Sequence, residues 1–201
     1  GVQTCALPIS NKNNLIIYEL WVYDYTPERS IAGLMKRLDY IENLGVNAIE
    51  LMPVTEFDGN YNWGYSPNHY FALDKAYGTP EQLKAFVDEC HKRGIAVILD
   101  MVFNHATGLN PMNKLYPYGT ELAHNPWFNV NAPHSDNVYE DWNHDFELTK
   151  LMFTRALQYW LKEYKIDGYR MDLSHGLCGT TNNATTHIAD YYNNGVKAVS
   201  E

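Results

Sequence analysis

Four short apolar runs alternate with three stretches of helical periodicity, and every long irregular segment follows an apolar run rather than a helix. The runs are Leu15–Tyr23, broken only by Glu19, then Ala48–Val54, Ile95–Leu99 and Ile166–Asp172. Continuous runs of this kind suit parallel strands covered on both faces. Ser30 can cap a first helix with an apolar face of Ile31, Leu34, Leu38, Ile41 and Leu44, closed by Gly45. Thr79-Pro80-Glu81-Gln82 opens a second as a capping box with Pro in the first turn; Leu83, Phe86, Val87 and Cys90 form its stripe and Gly94 ends it. A third starts at Glu147 or Leu148 and turns Phe153, Leu157, Trp160, Leu161 and Tyr164 inward. A weaker helical pattern runs from Ala184 to Val199, after a polar stretch with no clear period. Strand and helix alternating in this way make an α/β fold with a parallel sheet. The long segments, 55–79, 106–147 and the one from 173, all sit at the carboxyl ends of strands, where a (β/α)8 barrel builds its active face. No glycine-rich loop follows the first strand, which disfavours a dinucleotide-binding fold. A full barrel takes roughly 250 residues. The expectation is therefore a partial TIM (β/α)8 barrel of about the first four β/α units, with an irregular insertion after the third strand.

Composition narrows the partners. The formal charge of -9 argues against a nucleic-acid footprint. No apolar run approaches the length of a membrane span. The 16 Tyr and 5 Trp sit mostly beside Asn, Gly and Pro, as rings that stack on sugars or anchor loops would. Cys5, Cys90 and Cys178 are odd in number and widely spaced, so neither a disulfide framework nor a zinc motif follows. Gly1–Ser10 has no clear period and reads as a non-native or processed flank or as a short natural lead-in, leaving 11–201 as the barrel portion. No basic-then-apolar leader is visible. With the natural start taken as missing, a soluble, secreted or periplasmic location stays open.

The fourth run carries the chemistry. Arg170 and Asp172 lie two residues apart, so a strand puts both on one face. A cation and a carboxylate pointing inward are costly to bury unless they serve each other. Gly176 follows where the chain must turn. Two readings fit: a catalytic carboxylate at a barrel strand's end, or a buried structural ion pair.

Asp100-Met-Val-Phe-Asn104-His105 after the third strand and Gly168-Tyr-Arg170-Met-Asp172 in the fourth together resemble the α-amylase family of glycoside hydrolases. Leu44–Val54 is similar to that family's second strand, and Trp63-Gly64-Tyr65 to its sugar-stacking loop. The resemblance implies a retaining hydrolase acting on α-1,4-linked glucans such as starch, glycogen or maltooligosaccharides. Asp172 matches the nucleophile, with Arg170 holding it ionised. His105 matches the residue bonding a sugar hydroxyl, Asp100 a buried carboxylate that holds the arginine, and Tyr65 the floor under the sugar. Asn104 matches a calcium ligand, although calcium takes six to eight oxygens. The family often has Lys-His three and four residues after the nucleophile; here His175 stands for the sugar-binding Lys, and Gly176 removes the His that lends calcium a carbonyl. Asp136, Asp141, Asn143 and Asp145 could add ligands or be solvated loop groups.

The family's general acid, a Glu ending the fifth strand, and its last His-Asp motif cannot be placed. Glu201 follows no strand-like run and reads as a helix end or loop. The expectation is a fragment that does not turn over starch alone. A branching, debranching or trehalose-producing relative, or a non-catalytic carbohydrate-binding one, is the alternative.

Overall fold

The computed structural model describes residues 12–115 and 125–200. The Gly1–Ser10 flank and Glu201 lie outside the described residues. In chain order the elements are β1 (Ile17–Leu20), α1 (Val22–Tyr25), α2 (Ile31–Met35), α3 (Leu38–Asn43), β2 (Ala48–Leu51), β3 (Thr55–Phe57), β4 (Pro67–Leu73), α4 (Pro80–Lys92), β5 (Ala96–Met101), β6 (His105–Ala106), α5 (Pro111–Lys114), β7 (Glu140–Asp141), α6 (Glu147–Tyr164), β8 (Gly168–Met171) and α7 (Ala184–Tyr191). A π-helical turn, Tyr192–Lys197, extends α7 into a last turn at Ala198–Ser200.

The four expected strands form one sheet in the order β1-β2-β5-β8. All three pairings are parallel. Each strand therefore lies beside the one before it, with a helix between, as in successive units of a barrel. The strands are shorter than the apolar runs. The first run leaves the sheet after Leu20 and turns into α1, and its leading residues Ile16 and Ile17 are exposed rather than covered. The second ends at Leu51.

The helices use the caps the sequence offers. The Ser30 hydroxyl accepts from the Gly33 N–H. The helix expected from Ile31 to Leu44 is broken at Lys36–Arg37, where Arg37 takes φ -108° and ψ 0°. Its apolar stripe survives the break, because Ile31, Leu34, Leu38 and Ile41 are all fully buried. At α4 both halves of the capping box form: Thr79 Oγ1 accepts from Gln82 N–H and Gln82 Oε1 accepts from Thr79 N–H. Leu83, Phe86, Val87 and Cys90 are buried as expected. In α6, Phe153, Leu157, Trp160 and Tyr164 face the core, while Leu161 is only half-buried.

Two of the irregular segments carry strands of their own. Within 55–79, β3 and β4 form an antiparallel hairpin with shifts in register. The insertion is stapled at its mouth by β6 against β7, pairing His105 with Asp141. Tyr70, on β4, ties these parts together. Its hydroxyl donates to the His105 carbonyl and accepts from Trp142 Nε1, and its own carbonyl accepts from Trp160 Nε1. Its ring packs edge-on against Phe103, Trp142 and Phe153. Hairpin, insertion and α6 thus share one aromatic core directly beneath His105.

Candidate active site

Asp100 and Arg170 are register partners on the neighbouring strands β5 and β8, close to their carboxyl ends. Residues paired in this way face the same side of the sheet. Arg170 Nη1 donates to both oxygens of Asp100, each at 3.0 Å, and to Asp172 Oδ1 at 2.7 Å. Asp100 is fully buried, and the Asp172 side chain is 15% exposed, so the first carboxylate is structural ground and the second is open to a ligand. Burial pushes the Asp100 carboxyl up, to about 6, against the hydrogen bonds from Tyr65 and Arg170. For Arg170 burial works to lower the guanidinium, but the bonds to Asp172 and Asp100 win and raise it. The cation is therefore permanent.

Tyr65 reaches the same cluster from the loop between β3 and β4. Its hydroxyl donates to Asp100 Oδ2 at 2.8 Å, and burial together with that carboxylate raises the phenol's pKa. Gly64 makes the approach feasible. It holds φ +99°, and a Cβ there would sit 2.4 Å from the Pro53 carbonyl oxygen. His105 is buried with both ring nitrogens engaged: Nε2 lies 2.8 Å from the Tyr65 carbonyl and Nδ1 lies 3.1 Å from Asn104 Nδ2. A carbonyl only accepts, so Nε2 carries the proton and Nδ1 accepts from the Asn104 amide. Burial lowers the imidazole's pKa further, which keeps it neutral. In this arrangement the Nε2–H expected for a sugar hydroxyl is used to pin the backbone of Tyr65.

His175 stands at the rim, 83% exposed, with Nδ1 3.8 Å from Asp136 Oδ2. Asn104 is deeper. Its Oδ1 is buried without a partner and faces Gly176, where an added Cβ would fall 1.4 Å from that oxygen. That orphaned oxygen is the one feature that suits calcium. Asp136 lies beside it, its backbone carbonyl accepting from Asn104 Nδ2 at 3.5 Å, but the other expected ligands are bonded elsewhere. Asp141 binds Asn129 and His134. Asn143 Oδ1 accepts from the Asp145 N–H. Asp145 accepts from the Thr180 hydroxyl, the Thr181 N–H and the Asn182 amide, and lies against His187. Burial works to raise the Asp145 carboxyl, but these bonds, led by the Thr181 N–H, hold it well below the usual range. Among the described residues no three His, Cys, Asp or Glu side chains stand together to hold a metal ion.

Leu173, immediately after Asp172, takes φ 42°. A non-glycine residue in the left-handed region costs about 1–3 kcal/mol and persists where its surroundings dictate it. The strain turns the chain sharply after Asp172. Sequence reasoning passed over this turn, the Asp145 latch on the 180–187 segment, and Tyr139. That residue also takes a left-handed backbone, at φ 52°, and its ring lies 5.6 Å from that of His105.

The α-amylase catalytic-domain model matches residues 26–152. The chain belongs to the α-amylase family. It is 36% identical over 183 residues to the malto-oligosyltrehalose trehalohydrolase of Saccharolobus solfataricus, covering 89% of this chain and 30% of that protein. It is 32% identical over 157 residues to the intracellular maltogenic amylase of Bacillus subtilis, covering 72% and 26%. Its fold superposes on the pullulanase from Anoxybacillus sp. LM18-11 with a TM-score of 0.77 at 27% identity, covering 92% of this chain and 30% of that one. This α-amylase-family chain thus spans under a third of the length of these relatives. The partial barrel is the part of the family fold that it matches. Among the described residues no helix is long and apolar enough to cross a membrane.

Proposed function

We propose that this chain supplies the nucleophile side of a retaining hydrolase site for α-1,4-linked glucans. One observation carries the reading: a single guanidinium nitrogen joins a fully buried carboxylate to an accessible one at the carboxyl ends of adjacent parallel strands. Asp172 attacks the anomeric carbon and forms a covalent glycosyl-enzyme, and a second carboxyl group about 5–5.5 Å away protonates the leaving oxygen and then activates water. Arg170 pairs the nucleophile's charge and fixes its orientation. Asp100 anchors Arg170 and the Tyr65 hydroxyl, so the ring is held where a sugar face can stack. His105 orients the loop that carries Tyr65. The second carboxyl group is assigned to no described residue.

The kinship with malto-oligosyltrehalose trehalohydrolase favours a second reading within the same chemistry, cleavage of a maltooligosyl trehalose rather than of a plain maltooligosaccharide. Product analysis on the two substrates separates them. The intact Arg170–Asp172 pair speaks against a purely binding relative.

The test of the nucleophile is Asp172→Asn in a protein that also carries the second carboxyl group. The substitution keeps size and hydrogen-bonding shape, so melting temperature should hold while kcat on maltooligosaccharides falls at least about a thousandfold, as loss of a covalent nucleophile requires. A fluorinated glucosyl fluoride should leave a glucosyl adduct on the peptide holding Asp172. An adduct on another carboxylate, or near-normal turnover by the variant, refutes the assignment.

A further inference from the structure

We propose that Asp145 is a positioning residue for the nucleophile: it latches the segment after Asp172, and the latch keeps the left-handed turn at Leu173 that aims the Asp172 carboxylate. The proposal rests on the reading of Asp172 as nucleophile and adds to it the group that sets its direction.

The turn needs a holder. Asp172 N–H bonds the Met101 carbonyl at 2.9 Å, so the sheet fixes the backbone as far as Asp172. Leu173 then takes φ 42° and ψ 48°. A left-handed leucine persists only where its surroundings over-determine it. Relaxation there would rotate the peptide plane shared with Asp172 and carry the carboxylate off Arg170 Nη1, now 2.7 Å away. The next turn is weak support: Gly176 N–H donates to the Leu173 carbonyl at 2.9 Å and Leu177 N–H to the Ser174 carbonyl at 3.2 Å. Apolar packing adds little, because Leu177 is the only large apolar side chain from 174 to 183.

One carboxylate fixes the far end. Gly179 lies against Asp145, where an added Cβ would fall 2.1 Å from Asp145 Cγ. Asp145 Oδ2 accepts from the Thr180 hydroxyl at 3.2 Å and the Thr181 N–H at 2.9 Å. Its Oδ1 accepts from the Asn182 amide at 3.1 Å and lies 3.2 Å from His187 Nε2, which must carry the proton. Gly179 N–H donates to the Asn182 carbonyl at 2.8 Å and closes the chain around the carboxylate. His187 is buried and its Nδ1 has no partner, so among the described residues Asp145 is the ring's one hydrogen-bond partner. Bonds to an ionised acceptor are about twice as strong as neutral ones.

Asp145 is itself held. It precedes α6 by two residues, and its N–H donates to Asn143 Oδ1 at 3.1 Å. Asn143 is tied in turn to the Trp127 carbonyl by its N–H at 2.8 Å and to the Pro126 carbonyl by its amide at 3.1 Å. The carboxylate thus joins α6 and the insertion to the segment that carries the turn.

A fold anchor and a positioning residue differ in one measurable way: only the second is coupled to Leu173. The experiment uses a protein that also carries the second carboxyl group. Asp145→Asn keeps the size of the side chain but leaves one oxygen where two served four donors. Its kcat on maltooligosaccharides should fall about tenfold, with KM changed less than about twofold. Leu173→Asn puts in the turn a residue that visits the left-handed region readily. In that background Asp145→Asn should lower kcat less than about threefold, each variant being compared with its own parent. If Asp145→Asn does not fold, Thr180→Ala with Asn182→Ala takes two donors from the exposed side of the latch and gives the same comparison. A parental kcat in the latch variants, or an equal loss in both backgrounds, overturns the proposal and leaves Asp172 as the nucleophile. Near-normal turnover by Asp172→Asn removes the nucleophile reading, and this proposal with it.

Discussion

One nitrogen of Arg170 serves two carboxylates that differ in exposure, and that inequality makes the pair more than a buried salt bridge. Fully desolvated pairs tend to break even against apolar packing. Here one carboxylate stays available, so the buried half orients the other. A second titratable group matters for stability. His144 is fully buried, with Nε2 2.9 Å from the Phe103 carbonyl and Nδ1 2.7 Å from the Tyr191 hydroxyl. The carbonyl fixes the proton on Nε2, and Nδ1 accepts from the phenol. Burial pushes the imidazole's pKa down to about 3. The unfolded chain binds this proton near pH 6.5, the folded one only near 3. The contribution is therefore complete above pH 6.5 and is lost as pH falls from there towards 3, at up to about 1.4 kcal/mol per pH unit. His144→Gln keeps a donor and an acceptor but cannot titrate. Urea melts from pH 7 to pH 4 should show its stability falling less steeply than that of the parent by that slope. Parallel curves would mean that His144 is charged or solvated in the fold.

At the scale of elements, legibility followed the length of the pattern. α4 and α6 were readable because a dozen or more residues repeat one stripe, and α4 also announces itself with a capping box. β3 and β4 were not. Three residues are too few to show alternation, and register shifts scramble the pattern across the pair. Arg170 and Asp172 were legible as a pair because strand geometry alone puts them on one face, whereas Asp100 joined them only through the family resemblance. His105 was legible only through the family resemblance, and its bond to the Tyr65 carbonyl depends on a loop whose path no local pattern encodes. That path turns on Gly64. A methyl group there meets the Pro53 carbonyl at 2.4 Å, on a backbone at φ +99°. Gly64→Ala should cost about 1–3 kcal/mol in stability. It should also displace Tyr65 from Asp100, changing the near-ultraviolet circular dichroism of the tyrosines even well below the melting temperature. A variant as stable as the parent, with an unchanged spectrum, would show that the loop yields freely and that Gly64 does not set the ring's position.

For the molecule as a whole, the parallel order of strands could be read from the chain, whereas the unequal burial of those strands could not. Apolar runs look alike in sequence. Among the described residues, β2 and β5 are bonded on both sides and mostly buried, while β1 and β8 each have one bonded neighbour and are largely exposed or half-buried. Glu19 and Glu50 are register partners on β1 and β2, and burial, together with Glu19, raises the Glu50 carboxyl while Arg170 opposes the rise. Local opening follows such differences in bonding and burial. Hydrogen exchange on the 201-residue chain should therefore be graded. Amides of Ile49, Leu51, Val97 and Leu99 should exchange last, and those of β1 and β8 at least about tenfold sooner, since one bonded side fewer lowers the cost of opening. Equal protection across all four strands would mean that the outer edges are covered in solution. The Arg170–Asp172 pair on β8 would then stand in a more enclosed site than the described residues form on their own.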